Sequence, residues 1–319
     1  MVRRGNLLQK INKKQVSYLS SNGKDTIQGF VYNCEEINPK AIIQLSHGMC
    51  EYISRYDDFA FFLVDNGYVV CGNDHLGHGE TSTANGIDGF FAEEYGDKFV
   101  LEDLHTMTSL IKDLYPNLPV ILLGHSMGSF FARQYAITYP EDINGLIISG
   151  TGGPNPLSSV GLMLTSMLSK IKGATYRSKF IDNLATGSYY KKIKNANTKY
   201  DWISDDKDII EKYANDSKCT YMFTVSAYHD LMTVLKEVNT QKWADKLDKK
   251  MPIYIFSGKS DPVGDCYKGV LKVYQLIKNA NVENVTLKGY ENGLHEMLNS
   301  TNRKQVYNDV LNWINNGNF

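Results

Sequence analysis

The apolar run Val120-Ile-Leu-Leu123 leads directly into Gly124-His-Ser-Met-Gly128, and then into Ser129 to Tyr139, where apolar and aromatic residues recur at helical spacing up to Pro140. A strand, a sharp turn and a helix in that order constrain this chain more than any other feature. Pro140 lacks an amide hydrogen and ends the helical pattern. A serine with glycine two residues to either side, at a strand-to-helix turn, can occupy a strained conformation that lifts its hydroxyl clear of the backbone. Ser126 is therefore a candidate nucleophile. The pentapeptide alone also fits an ordinary glycine-rich turn, so its surroundings must decide.

The same alternation recurs along the chain. β-type runs occupy 26–32, 41–45, 68–72, 120–123, 146–149, 253–257 and 285–288. Between them, 56–66 places Phe59, Ala60, Leu63 and Val64 on one stripe before Gly67, and 99–115 repeats Leu101, Leu104, Met107, Thr108 and Ile111 before Pro116. Val306, Val310, Leu311 and Ile314 form a last stripe. This pattern predicts an α/β protein with a mostly parallel central sheet, helices on both faces and an antiparallel pair at the N-terminus. With 319 residues, 42% of them hydrophobic, the chain can bury a core of that size.

The alternation fails from about Pro154 to Lys242, which reads as helical pieces rich in Tyr, Lys, Asn and Asp. The chain thus divides into a first core part (1–153), a helical insertion (154–242) and a second core part (243–319). Loops at the carboxyl ends of parallel strands form the ligand crevice, so the insertion is expected to sit over Ser126 as a cap. Leu157, Val160, Leu162, Met163, Leu164, Met167, Leu168 and Ile171 make an apolar surface wider than one helix stripe. Its uses are packing of cap on core, an acyl-binding cleft, or transient contact with a membrane or micelle.

Composition excludes several classes. With 34 basic and 35 acidic residues the net charge is −1, which gives no field to attract nucleic acid. The N-terminus is interrupted by charged and polar residues before any signal-type apolar core, and no eighteen-residue apolar run occurs. Five cysteines, with no C-x-x-C pair, fit a reducing compartment. The expected location is cytoplasmic. Cys50, near the expected site, reads as a buried, reduced thiol. The sequence assigns no oligomeric state.

A serine hydroxyl needs a base to remove its proton, and the base needs a carboxylate to fix its tautomer. Only His229 and His295 follow Ser126. His295 lies in a loop just past the last β-type run, whereas His229 belongs to the insertion, so His295 is the expected base. Asp261 and Asp265 follow the run at 253–257; Asp261 is nearer the strand end and precedes Pro262, while Asp265 stays open as a loop anchor, a helix cap or the acid itself. Oxyanion donors are expected at the Met127 N–H, which opens a helix, and at the Met49 N–H after His47-Gly48. His75 and His78 lack further ligands at suitable spacing, so no metal and no cofactor is expected.

Five segments carry a resemblance that spans nearly the whole chain: Ser46-His-Gly-Met-Cys-Glu-Tyr-Ile-Ser-Arg-Tyr56, Asn73-Asp-His-Leu-Gly-His-Gly-Glu80, Leu123-Gly-His-Ser-Met-Gly128, Ser257-Gly-Lys-Ser-Asp-Pro262 and Gly293-Leu-His-Glu296. They resemble motifs of the serine hydrolase family that contains monoacylglycerol lipases and lysophospholipases, of the serine aminopeptidase type. Asp201-Trp-Ile-Ser-Asp205 and Cys219-Thr-Tyr-Met-Phe-Thr224 also resemble bacterial members. The resemblance implies the α/β-hydrolase fold, a helical cap, a Ser126, Asp261, His295 triad with an oxyanion hole at Met49 and Met127, and a small ester or lipid substrate. Ser129 departs from the third glycine frequent in the family. An aminopeptidase or amidase and an acyltransferase would use the same triad, and a noncatalytic binding protein could share the fold. The substrate-binding residues are not assigned.

Overall fold

The computed structural model describes residues 10–156, 158–317 and 319. The first nine residues and Leu157, which entered the readings above, lie outside them.

Eight strands form one sheet: β1 (Ile11–Leu19), β2 (Thr26–Cys34), β3 (Ile42–Ser46), β4 (Val69–Asn73), β5 (Val120–His125), β6 (Gly145–Ser149), β7 (Ile253–Gly258) and β8 (Val285–Tyr290), in the order β1-β2-β4-β3-β5-β6-β7-β8. The β1–β2 and β2–β4 pairs are antiparallel and the other pairs parallel. Strands β3 to β7 are buried along their whole length. That explains their unbroken apolar runs, because a parallel strand covered on both sides has no solvent face. Successive residues instead alternate between two cores: Ile42, Leu122, Ile148 and Ile255 face one, and Ile43, Leu123, Ile147 and Phe256 the other.

In chain order the helices are α1 (Asp57–Asp65), α2 (Gly79–Asn85), α3 (Gly96–Leu114), α4 (Met127–Thr138), α5 (Ser158–Lys172), α6 (Lys179–Ala185), α7 (Lys207–Asn215), α8 (Val225–Val238), α9 (Gln241–Ala244), α10 (Lys268–Asn279) and α11 (Arg303–Asn316). Helix α1 buries the expected Phe59, Ala60, Leu63 and Val64. It stops where Gly67 takes φ +91°, with Gly67 N–H bonded to Val64 O and Tyr68 N–H to Leu63 O, a Schellman ending. Helix α11 buries Val306, Val310 and Ile314 in the same core as α1. This is the α/β-hydrolase arrangement that the resemblance implies.

Among the described residues no strand interrupts the chain between β6 and β7. The helical insertion is more deeply embedded than an overlying lid. Helix α8 packs on α3, α4 and α5, and its Ala227, Tyr228, Val234 and Val238 belong to one of the two cores. Arg133 of α4, fully buried, donates to Val238 O and to Asn239 Oδ1 (3.1 Å), with its guanidinium 4.5 Å from the Trp243 ring centroid. The helix that opens at Ser126 is thereby tied to the point where the insertion rejoins the core.

A second tie is electrostatic. Asp230 of α8 lies at the N-terminus of α3, where a Cβ on Gly96 would come within 2.2 Å of its Oδ2. Burial, and next the charge of Asp97, push the Asp230 carboxyl up to about 8. The native state therefore keeps a proton that the unfolded chain releases near pH 4, so this group's stabilising contribution is full below pH 4 and is lost as pH rises toward 8. Asp230→Asn, which cannot titrate, is expected to flatten the fall in melting temperature between pH 5 and 8, and to gain about 1–2 kcal/mol on the native protein at pH 8. An unchanged slope in a pH series of thermal melts would refute this.

Candidate active site

The three residues singled out by pattern arrive from three loops at the carboxyl end of the sheet. Ser126 sits between β5 and α4 at φ 52°, ψ −120°, a strained backbone for a residue with a side chain. The flanking glycines make that turn sterically feasible. A Cβ on Gly124 would come within 2.3 Å of Gly128 O, and one on Gly128 within 2.0 Å of Ser46 O. Ser129, the departure noted above, stays small and ties the turn to the β6 loop: its hydroxyl donates to Ser126 O (2.5 Å), and its oxygen, 2.8 Å from Thr151 Oγ1, can accept from that hydroxyl.

His295 and Asp261 are brought together. His295 Nδ1 lies 2.9 Å from Asp261 Oδ2, and both side chains are buried. Asp261 Oδ1 accepts the Val263 N–H at 2.9 Å, so both oxygens are held. Burial works to lower the pKa of His295, but the charge and hydrogen bond of Asp261, with Glu296 and Glu51 beyond, outweigh it and hold the imidazole above its ordinary value. The other two candidates lie elsewhere. Asp265 is exposed and pairs with Lys192 at 3.2 Å, and His229 meets Thr165 Oγ1 of α5 at 3.1 Å.

The ring of His125, next to Ser126, lies 4.7 Å from that of His295, centroid to centroid. Ser126 itself is half-buried, and its hydroxyl has no hydrogen-bond partner among the described residues. The loop after β3 closes the other side: a Cβ on Gly48 would come within 3.0 Å of Ser126 Cβ. Neither the Met49 N–H nor the Met127 N–H meets an acceptor among the described residues. One of these two amides follows Gly48, which approaches Ser126, and the other lies at the first turn of α4.

Sequence reasoning missed the group that holds this loop. Glu51 accepts from Gly48 N–H and from Tyr56 OH (2.8 Å). Arg55 bridges Glu51 (2.9 Å) to Glu296, which it meets with both terminal nitrogens at 2.7 and 2.8 Å. The loop carrying Met49 is so joined to the residue after His295. Burial, and next the charge of Glu296, push the Glu51 carboxyl up to about 7 against the pull of Arg55.

His75 and His78 pack with His47 in a buried cluster, ring centroids 4.2 and 5.0 Å from it. His47 Nε2 accepts the His75 N–H at 2.9 Å, and burial lowers His75 to about 3 and His78 to about 4, which keeps both neutral. Among the described residues no group of three or more His, Cys, Asp or Glu is placed to hold a metal ion, and no helix is long and apolar enough to cross a membrane. Cys50 is buried, with its thiol pushed well up by burial, an environment that suppresses thiolate reactivity.

Known proteins resemble this chain in sequence and in fold. The family described as Serine aminopeptidase, S33, matches residues 37–302. The human monoglyceride lipase is 29% identical over 290 residues, spanning 86% of this chain and 82% of that protein. A monoglyceride lipase homolog of Monkeypox virus is 28% identical over 284 residues, covering 87% and 90%. Among solved structures, a thermostable carboxyl esterase from Bacillus coagulans superposes with a TM-score of 0.90 at 30% identity, over 95% of this chain and 98% of that one. The chain is a serine hydrolase and belongs to the Serine aminopeptidase, S33, family of α/β-hydrolases.

Proposed function

We propose that this enzyme hydrolyses carboxylic esters of the monoacylglycerol or lysophospholipid type through an acyl-enzyme on Ser126. The observation that carries the reading is the buried Asp261–His295 pair set beside a strained serine turn. His295 takes the serine proton as Ser126 attacks the carbonyl, and Asp261 holds the Nδ1–H tautomer and stabilises the imidazolium. The Met49 and Met127 amides donate hydrogen bonds to the developing oxyanion. His295 then protonates the leaving alcohol, and water activated by the same imidazole releases the acid.

The substrate class rests on the lipase and esterase relatives and on the insertion, for which we adopt the bounds 154–242. Helix α5 packs Leu162, Leu164 and Leu168 inward and leaves Val160, Met163, Met167 and Ile171 exposed, with Phe180 of α6 exposed nearby in sequence. Such an apolar outer face suits a cap that meets lipid monolayers or micelles. The test is a panel of monoacylglycerols, lysophospholipids, p-nitrophenyl esters and aminoacyl-naphthylamides. The glycerol and lysolipid esters are expected to turn over with the highest kcat/KM; turnover of the aminoacyl substrates alone would replace this reading by an aminopeptidase.

The Glu51 bridge gives a further expectation. Glu51→Ala frees the Gly48 N–H and loosens the turn that aims the Met49 amide. A fall of roughly 10-fold or more in kcat, with KM changed less, is expected from partial loss of one oxyanion donor. Unchanged kinetics on short esters would show that the bridge does not aim that amide.

A further inference from the structure

The insertion contributes one side chain that touches the base itself. Trp202 lies on the segment between α6 and α7, its ring centroid 5.1 Å from that of His295 at an interplanar angle of 43°. The contact is held from several sides. His295 N–H donates to Trp202 O at 3.3 Å and Glu296 N–H to Ile203 O at 2.7 Å. Ser204 Oγ donates to Asn299 O at 2.8 Å, and Thr301 N–H to Asp205 Oδ1 at 2.9 Å. Behind Trp202, the Tyr189 ring packs on it edge-on at 5.0 Å. The segment is thus stitched to the histidine loop along its length, and the indole packs against the His295 ring.

We infer that Trp202 is a positioning residue for His295, which fixes the imidazole between itself and His125 and stabilises its protonated form as Ser126 attacks. The inference rests on the reading of His295 as the base. A cation within about 6 Å of an aromatic centroid is attracted by the ring quadrupole, and tryptophan offers the strongest such face. The attraction is small while the imidazole is neutral and grows as the proton arrives. An interaction stronger in the transition state than before it raises kcat rather than lowering KM.

The other charged or titratable groups around His295 are Asp261 from the β7 loop, Glu296 on its own loop, Glu51 and Arg55 from the loop after β3 and the turn that follows it, His125 at the end of β5, and Tyr189 on the insertion. Burial, and next His295 itself, hold His125 well below its ordinary value, and burial raises the Tyr189 hydroxyl to about 12, so both are neutral where the enzyme would work. Changing Trp202 adds or removes none of these charges, although the Tyr189 ring loses a packing partner. Losing the indole also relieves the burial that lowers the His295 pKa, an effect of opposite sign, so it is a downward displacement in a Trp202 variant that reports the indole's attraction for the imidazolium.

The experiment is steady-state kinetics on one short p-nitrophenyl ester across pH 5 to 9 for the native enzyme, Trp202→Leu, Trp202→Phe and His295→Ala, each checked for a cooperative thermal melt. Loss of the indole removes stabilisation of the imidazolium, so its pKa falls and the acid limb of kcat/KM moves to lower pH. For Trp202→Leu the expected shift is ~0.5 pH unit, with kcat lowered ~5-fold and KM changed less. Trp202→Phe, which keeps a ring, is expected to recover most of both, with a smaller displacement in the same direction. If Trp202→Leu does not fold, the Phe variant decides alone by the presence or absence of that displacement. An unmoved limb, or a change confined to KM, overturns the inference and leaves Trp202 as part of the cleft wall. Full activity in His295→Ala would instead overturn the reading of the base, and the inference with it.

Discussion

Ser126→Ala is expected to lower kcat on an ester substrate roughly 10⁶-fold while leaving the fold intact, since a triad removed at its nucleophile loses nearly all of its covalent catalysis. The fold should survive because the turn is shaped by backbone and neighbours rather than by this hydroxyl. Gly124 and Gly128 provide the close approaches, Ser126 N–H bonds to Ser149 O at 2.9 Å, and the hydroxyl itself makes no bond among the described residues. The strained φ of 52° persists in the variant, because alanine also carries a Cβ. Thermal melts of the two proteins should therefore lie within a few degrees of one another. Residual turnover above about 1% of native, with contamination excluded by active-site titration, would remove Ser126 from the mechanism.

The second large effect is expected at Asp261. Asp261→Asn should lower kcat roughly 10⁴-fold, because an amide at this position can present its NH₂ group to His295 Nδ1 and favour the wrong tautomer. The contrast with Asp265→Asn makes the measurement decisive. Asp265 is exposed and, among the described residues, paired with Lys192 alone, so its replacement should change kcat by less than about 2-fold, as for most surface ion pairs. The same pair sets the sign of the pH dependence. With the imidazole held above its ordinary value by Asp261 against the opposing effect of burial, the acid limb of kcat/KM should lie above that of a free histidine, and activity should be lost as pH falls through it. Equal losses from the two aspartate variants would overturn the choice of Asp261 over Asp265 as the acid.

What could be read from the sequence follows from the range of the interactions concerned. The buried strands were legible because both faces are covered and the apolar runs are unbroken, as at Ile42–Ser46 and Ile253–Gly258. Helix α1 announced its own end through Gly67, a strictly local signal. Ser126, Asp261 and His295 could be named because each follows a recognisable strand and few alternatives exist downstream.

The Glu51, Arg55, Glu296 bridge could not be read in this way, since Arg55 and Glu296 lie 241 residues apart and nothing in either motif names the other as its partner. Trp202 stood in a segment noted only for its resemblance, and its contact with His295 depends on how the insertion folds back. The embedding of α8 was hidden for a related reason: its apolar residues at helical spacing specify that a face is buried but not what it is buried against. Asp230 acquires its raised pKa only through burial beside the N-terminus of α3, which lies far from it in sequence.

The most direct test of the central claim is covalent. The native enzyme is labelled with a fluorophosphonate probe, digested, and the modified peptide sequenced by mass spectrometry. A label on Ser126, absent from Ser126→Ala and strongly slowed in His295→Ala, is the expected result. A folded protein that takes no label, or one labelled at any other serine, would contradict the account.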